Sequence, residues 1–161
     1  MKVLSLSQPW ASLCVERFDG AKQPPKGWET RGWKPSKENM SVMYADGFLI
    51  HATAKPAPLH IRCTWPMMKY IFTDRVLPQG CIIGHATLGR VMTTHDWVRR
   101  ILNPVRTPDD ERMRDEFALG DYSAGRWAWE LLNVIHFKTP IPAKGKLSLW
   151  EYNEPINLME Q

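Results

Sequence analysis

The chain reads as an α+β protein rich in strands, a small barrel of five or six strands with flanking short helices. Three observations predict the strand-rich class. Short alternating or wholly apolar runs mark strands near both ends of the chain. The helical stretches between them are brief and bounded by Gly or Pro. Strands at both termini, separated by long excursions, suit a sheet that closes on itself and removes its edges. With 161 residues and domains of about 100–200 residues, a single domain over 1–161 is expected, with a loop insertion at about 20–47.

Lys2 to Leu6 alternates and reads as a strand. Ser7 can cap a helix that starts near Pro9 and carries Trp10, Leu13, Cys14, Val15 and Phe18 on one stripe, with Gly20 to end it. Residues 20–47 are rich in Gly, Pro, Lys and Asn and read as a loop with one ordered piece around Trp28–Trp33. Phe48 to Ala52 is a buried strand, and Thr64-Trp65-Pro66 starts a helix over Met67, Met68, Tyr70 and Ile71. Cys81 to Val91 is a strong strand with Gly84 and Gly89 as bulges. A short helix follows at Asp96–Leu102, and Thr107-Pro108-Asp109 opens another that runs to Leu119. Trp127, Trp129 and Leu131 alternate, and a bulge at Leu131-Leu132 lets the strand continue through Val134 and His136. Pro140 to Gly145 reads as a turn before a last strand around Leu147, Leu149 and Glu151.

Composition narrows the function. Apolar residues make up 43% and charged ones 24%, so the chain is neither disordered nor short of a core. No run approaches the ~18 apolar residues of a membrane span, and the opening MKVLSLSQPW does not read as a signal peptide. Cys14, Cys63 and Cys81 are odd in number and scattered, which argues for reduced thiols in the cytoplasm rather than a disulfide framework. His60 and Cys63 have a ligand-like spacing but no second pair, so no metal and no cofactor are expected. The unusual features are eight Trp and a net charge of +4. Residues 1–80 carry 11 Lys/Arg against 6 Asp/Glu, and 81–161 carry 10 against 11, a basic half that suits an anionic partner.

Four constellations carry candidate chemistry. Gln8, in Gln8-Pro9-Trp10, lies beside the free N–H groups of a helix start. Lys26-Gly27-Trp28-Glu29-Thr30-Arg31-Gly32-Trp33 holds two cations, a carboxylate and two indoles; if extended, Glu29 and Arg31 share a face and Thr30 points away. His51-Ala52-Thr53-Ala54-Lys55 ends a buried strand, where a histidine is more often a satisfied core group than a base. Gly120-Asp121-Tyr122-Ser123-Ala124-Gly125-Arg126 offers a carboxylate, a phenol, a hydroxyl and a guanidinium between two glycines. The acidic stretch Asp109–Glu116 reads as a solvated face. Trp10, Trp127, Trp129 and Trp150 fall in packing elements, whereas Trp28 and Trp33 flank Glu29 and Arg31 as candidate base-stacking rings.

Taken in order, these motifs resemble those of the ASCH domain in the PUA-like superfamily. They are LSLSQPWASL (4–13), Lys-x-x-Glu-x-Arg, LIHATAK (49–55), LPQGCIIGHATL (77–88), LGDYSAGRWAWEL (119–131) and PIPAKGKLSLW (140–150). The resemblance implies a pseudobarrel with flanking helices and a basic cleft that binds RNA. It maps a motif element onto Glu29 and Arg31, with either Lys22 or Lys26 as its lysine, and it departs from the pattern at Asp46, where relatives often have a basic residue. Some members of that family are hydrolases. One branch removes acetyl from N4-acetylcytidine with a Lys, a Thr and a Glu, and Thr30 is displaced by one residue from the matching position. Others resemble ribonucleases.

Two functions follow as expectations. The first is an RNA- or nucleobase-binding module using Gln8, Trp28, Thr30, Arg31, His51, Lys55, Tyr122 and Arg126. The second is a metal-independent hydrolase of RNA or of a modified nucleoside, with Lys26, Glu29, Lys55 and Ser123 as catalytic groups and a lysine of depressed pKa. A protein-interaction module would instead present the tryptophans on a flat surface away from Arg31 and Arg126.

Overall fold

The computed structural model describes residues 1–18, 20–58, 60, 70, 76–103 and 110–160. It is α+β and strand-rich, as the sequence predicts. In chain order the elements are β1 (Lys2–Leu6), α1 (Trp10–Val15), β2 (Trp28–Arg31), α2 (Lys37–Ala45), β3 (Phe48–Ala52) and β4 (Cys81–Thr93). They continue with α3 (Thr94–Trp97), a π-helical turn (Val98–Leu102), α4 (Asp110–Leu119), β5 (Trp127–Pro142), β6 (Leu149–Glu151) and a 3-10 turn (Leu158–Glu160). The helix expected from Thr64 and the start at Thr107 lie outside the described residues, apart from Tyr70.

The strands form one sheet in the order β2-β5-β4-β3-β1-β6, curled into half a barrel. β1 and β3 run parallel, and every other neighbouring pair is antiparallel. Among the described residues the ladder does not close: β2 and β6 are edges, where the sequence predicts a closed barrel. Curling comes from β4 and β5, which are 13 and 16 residues long and slip register between Ile82 and Gly84, His85 and Thr87, and Leu88 and Val91. Each slip bends and twists the pair, and two fall at the predicted bulge glycines. Gly84 also lets α1 approach, because a Cβ there would sit 2.6 Å from the Ile135 carbonyl and 2.7 Å from Val15 Cγ1.

Alternation along the central strands fills both faces of the sheet. Leu4, Leu6 and Ile50 pack with Ala11, Cys14 and Val15 of α1 and Met43 of α2. Val3, Leu49, Ile82, Phe137 and Trp150 form a second core against Tyr152, Ile156 and Leu158 of the C-terminal segment. A third cluster joins Trp28, Trp97, Tyr122 and Ala128, with the Trp97 and Tyr122 rings 4.2 Å apart. Among the described residues no helix is long and apolar enough to cross a membrane.

Several local expectations are corrected. The 20–47 segment is not one loop: besides β2 it holds α2, capped by the Ser36 hydroxyl accepting from the Asn39 N–H. Its polar composition hides a helix that buries only Met43. α1 ends at Val15, well before Gly20, and the Ser7 hydroxyl does not cap it. The Gln8 side chain accepts from the Ser12 N–H instead, at 3.2 Å. β5 continues to Pro142, into the expected turn.

Gly47 follows α2 with φ at 74°, and a Cβ there would run into the His85 ring and lie 2.7 Å from the Ala86 carbonyl. Gly47→Ala therefore combines left-handed strain with overpacking and is expected to destabilise by about 1–3 kcal/mol. Thermal unfolding checks this: a melting temperature unchanged from wild type would contradict the packing of α2 on β4.

Candidate functional site

The site is built on β2, an edge strand paired only to β5, with Glu29 opposite Trp129 and Arg31 opposite Trp127. The residues before it are anchored from two sides. The Lys26 N–H donates to the Leu13 carbonyl of α1 at 3.0 Å, and the Gly27 carbonyl accepts from the Leu131 N–H of β5 at 2.8 Å. Lys26 is thereby turned inward and is fully buried.

Its ammonium donates to the Trp28 carbonyl at 2.6 Å and lies 3.6 Å from Glu29 Oε2 and 3.9 Å from Glu116 Oε1. Glu116 is also fully buried, accepting from the Gly27 N–H at 2.6 Å and the Tyr122 hydroxyl at 3.1 Å. Outward from Lys26 the charges alternate. Glu29 Oε1 lies 3.6 Å from Arg31 Nη1, and side-chain exposure rises from 1% at Lys26 to 8% at Glu29 and 24% at Arg31. The Lys-x-x-Glu-x-Arg spacing is thus a ladder of charge from the interior to a cavity. Of the two candidate lysines, Lys26 joins this ladder, whereas Lys22 is exposed and lines a different hollow.

Burial opposes a charge on Lys26, but Glu29 and Glu116 outweigh it and raise its pKa. The group therefore stays an ammonium, and it does not supply the depressed amine that a general base requires. For Glu116 burial dominates: it raises the carboxyl pKa against the opposing pull of Lys26, the Gly27 N–H and Tyr122.

The cavity above this ladder has a volume of about 220 Å³ and is lined by Lys26, Glu29, Thr30 and Arg31 on one side. Asp121 and Arg126 form the facing wall, and Leu6, Ser7 and Trp10 complete it. The facing loop is pinned to β2. The Asp121 N–H donates to Thr30 Oγ1 at 3.2 Å, and Arg126 Nη2 donates to the Thr30 carbonyl at 3.1 Å. The Ser123 hydroxyl donates to Asp121 Oδ1 at 2.7 Å. That bond leads the interactions holding the Asp121 carboxyl below its ordinary pKa. Trp10 is fixed by its Nε1–H donating to the Leu119 carbonyl at 2.8 Å. The rim thus sets two guanidiniums and two carboxylates around one half-buried indole.

Of the residues expected at the site, Lys26, Glu29, Thr30, Arg31 and Arg126 meet here. The others do not line this cavity. Trp28 is 5% exposed and packs edge-on against Trp97, so it is not a stacking surface. Trp33 leans edge-on against Trp129 at 4.8 Å. The Gln8 side chain is held by Ser12 and the Pro78 carbonyl, and the neighbouring N–H groups of α1 are already taken by Ser7, Gln8 and Pro9. His51 is 1% exposed; its Nε2 faces the Ala143 carbonyl and its Nδ1 the Ser5 hydroxyl, at 3.1 and 3.2 Å. Lys55 is exposed beyond β3. Tyr122 is buried behind the ladder on Glu116, and Ser123 is exposed and serves Asp121.

Sequence reasoning missed three contributors. Trp10 was expected in the core, and Asp121 was only one of several loop groups. Glu116 was read as solvated, although Met113, Glu116 and Leu119 fall at helical spacing on the inward side of α4. The sequence matches no protein-family model and no curated protein.

A group whose folded pKa is raised binds its proton more tightly when folded, so Glu116 contributes most to stability below its unfolded value of about 4.3. That contribution declines as pH rises toward its folded pKa. Glu116→Gln keeps an acceptor for Gly27 and removes the titration. Urea unfolding is expected to show the stability difference shifting in the variant's favour as pH rises above about 4.3; a pH-independent difference would contradict the buried carboxyl.

Proposed function

We infer that the chain is an ASCH-like, RNA- or nucleobase-binding domain whose cavity takes a single unpaired base or nucleoside. One observation carries the reading: two ion pairs, Arg31 with Glu29 at 3.6 Å and Arg126 with Asp121 at 3.3 Å, line a hollow of about 220 Å³ that is walled by Trp10. That volume falls below the roughly 300–1,000 Å³ of pockets for drug-sized ligands, so it suits one planar polar group. A base edge presents donors and acceptors together, and so does this rim. Guanidinium forks match carbonyl oxygens and ring nitrogens, carboxylates match exocyclic amines, and an indole face supports the ring. The motif resemblance to the ASCH domain adds to this reading.

Binding is preferred to hydrolysis on one ground. A deacylase or ribonuclease of the expected kind needs a lysine poised as a free amine, and Lys26 is held as an ammonium between two carboxylates. Lys55 lies outside the cavity walls.

Titration with nucleosides and short single-stranded RNAs tests the proposal. Trp10→Leu is expected to lose about 1–3 kcal/mol of binding, the range for a stacked base. Arg31→Ala and Arg126→Ala are each expected to weaken binding about tenfold, equivalent to about 1.4 kcal/mol. RNA and N4-acetylcytidine should be recovered unchanged. Affinities indifferent to all three substitutions, or turnover of either ligand, would overturn it.

A further inference from the structure

A second hollow, of about 440 Å³, opens on the other side of the Lys26–Trp28 segment, and Lys26 belongs to the walls of both. Its character is different. Among the described residues, Arg17, Lys22, Arg90 and Arg112 line it with a single carboxylate, Glu130. That carboxylate is engaged by one of the four. Arg90 Nε and Nη2 donate to its two oxygens at 2.9 and 2.8 Å, and the Arg90 N–H adds a third bond at 2.9 Å. Arg17, Lys22 and Arg112 have no carboxylate within ion-pair distance among the described side chains. A further hollow, lined by Arg17, Val134, Ile135 and His136, adjoins this one through Arg17 and Val134. The unpaired cations therefore lie along a track that adjoins the base-sized cavity.

We propose that this basic groove takes the phosphodiester backbone flanking the base held in the first cavity, so that the ligand is a single-stranded polynucleotide and not a free nucleoside. The inference rests on the reading of the first cavity as a base site. It adds a distinct surface with a distinct signature. Carboxylates balance the guanidiniums of the first cavity and suit base edges, whereas the unpaired Arg17 and Lys22, with Arg112 beside the buried Glu116, leave this hollow an excess of positive charge that suits a repeating anion. Arg90 strengthens the track differently: its guanidinium lies 5.2 Å from the Trp28 ring centroid and is braced by Glu130, so it enters with little freedom left to lose.

The experiment compares wild type with a triple variant, Arg17→Gln, Lys22→Gln and Arg112→Gln. A double variant limited to the exposed Arg17 and Lys22 guards against any effect of Arg112 on Glu116. Each is titrated with nucleoside monophosphates and with a short single-stranded RNA across a range of salt, and oligoglutamate of similar charge serves as a competitor. Each phosphate contact on a single strand contributes a salt slope of about −0.7. The triple variant is therefore expected to lose about two units of slope and roughly two orders of magnitude in RNA affinity at about 50 mM salt. The double variant is expected to lose about 1.4 units, and mononucleotide affinity should be unchanged in both.

An RNA affinity and slope that survive both sets of substitutions would overturn the groove while leaving the base site standing. Groove-dependent RNA binding without any mononucleotide binding would support the groove and remove the base site. Wild-type protein that ignores RNA, or that binds oligoglutamate equally well, would overturn the proposal.

Discussion

A fully buried ammonium dominates the organisation of this protein. Taking an ion such as that of Lys26 out of water costs several kcal/mol, and the burial is tolerable only if each donor finds a partner. Those partners come from two separate parts of the chain: the Trp28 carbonyl and Glu29 on β2, and Glu116 on α4. Glu116 in turn holds the Gly27 N–H and the Tyr122 hydroxyl. An edge strand, a helix and the loop after that helix are thus locked together by one cation. The second carboxylate leaves Glu29 able to reach outward to Arg31 as well as inward, and this is how an interior charge positions a surface one.

The rest of the fold supports that arrangement from outside. Register slips between β4 and β5 curl the sheet, and Gly84 admits α1 closely enough for its Leu13 carbonyl to hold the Lys26 backbone. Trp97 and Tyr122 seal the side of β2 away from the cavity. The two hollows on either side of the Lys26–Trp28 segment then differ in charge because their neighbours differ. One borrows carboxylates from the ladder and the loop, and the other is left with arginines and a lysine.

Much of this was legible in the sequence. The apolar run Phe48-Leu49-Ile50 of β3, the alternation in β1 and the glycines of β4 are strong local signals because burial on both faces and bulging demand those residue types. The Lys-x-x-Glu-x-Arg spacing was legible as a charged element, and structure added that its members descend into the interior. What stayed hidden depends on long-range packing. Trp10 and Trp28 are chemically alike, and only the approach of α3 and the loop at Tyr122 decides which ring is sealed. The open edges were likewise hidden behind an expectation of closure, since a short β2 and a short β6 read the same whether or not they meet. By contrast α2 and Glu116 left readable traces, in the Ser36 cap with Gly47 beyond the helix end, and in the spacing from Met113 to Leu119.

In the proposed complex a base lies against Trp10 within reach of Arg31 and Arg126. Indole N–H resonances of nitrogen-15-labelled protein, recorded while a nucleoside monophosphate mixture is added to saturation, test it most directly. The Trp10 signal is expected to move along with the side-chain signals of Arg31 and Arg126, while those of the buried Trp97 and Trp129 stay in place. Shifts confined to Trp127 or Trp150, or a spectrum unmoved at saturation, would contradict it.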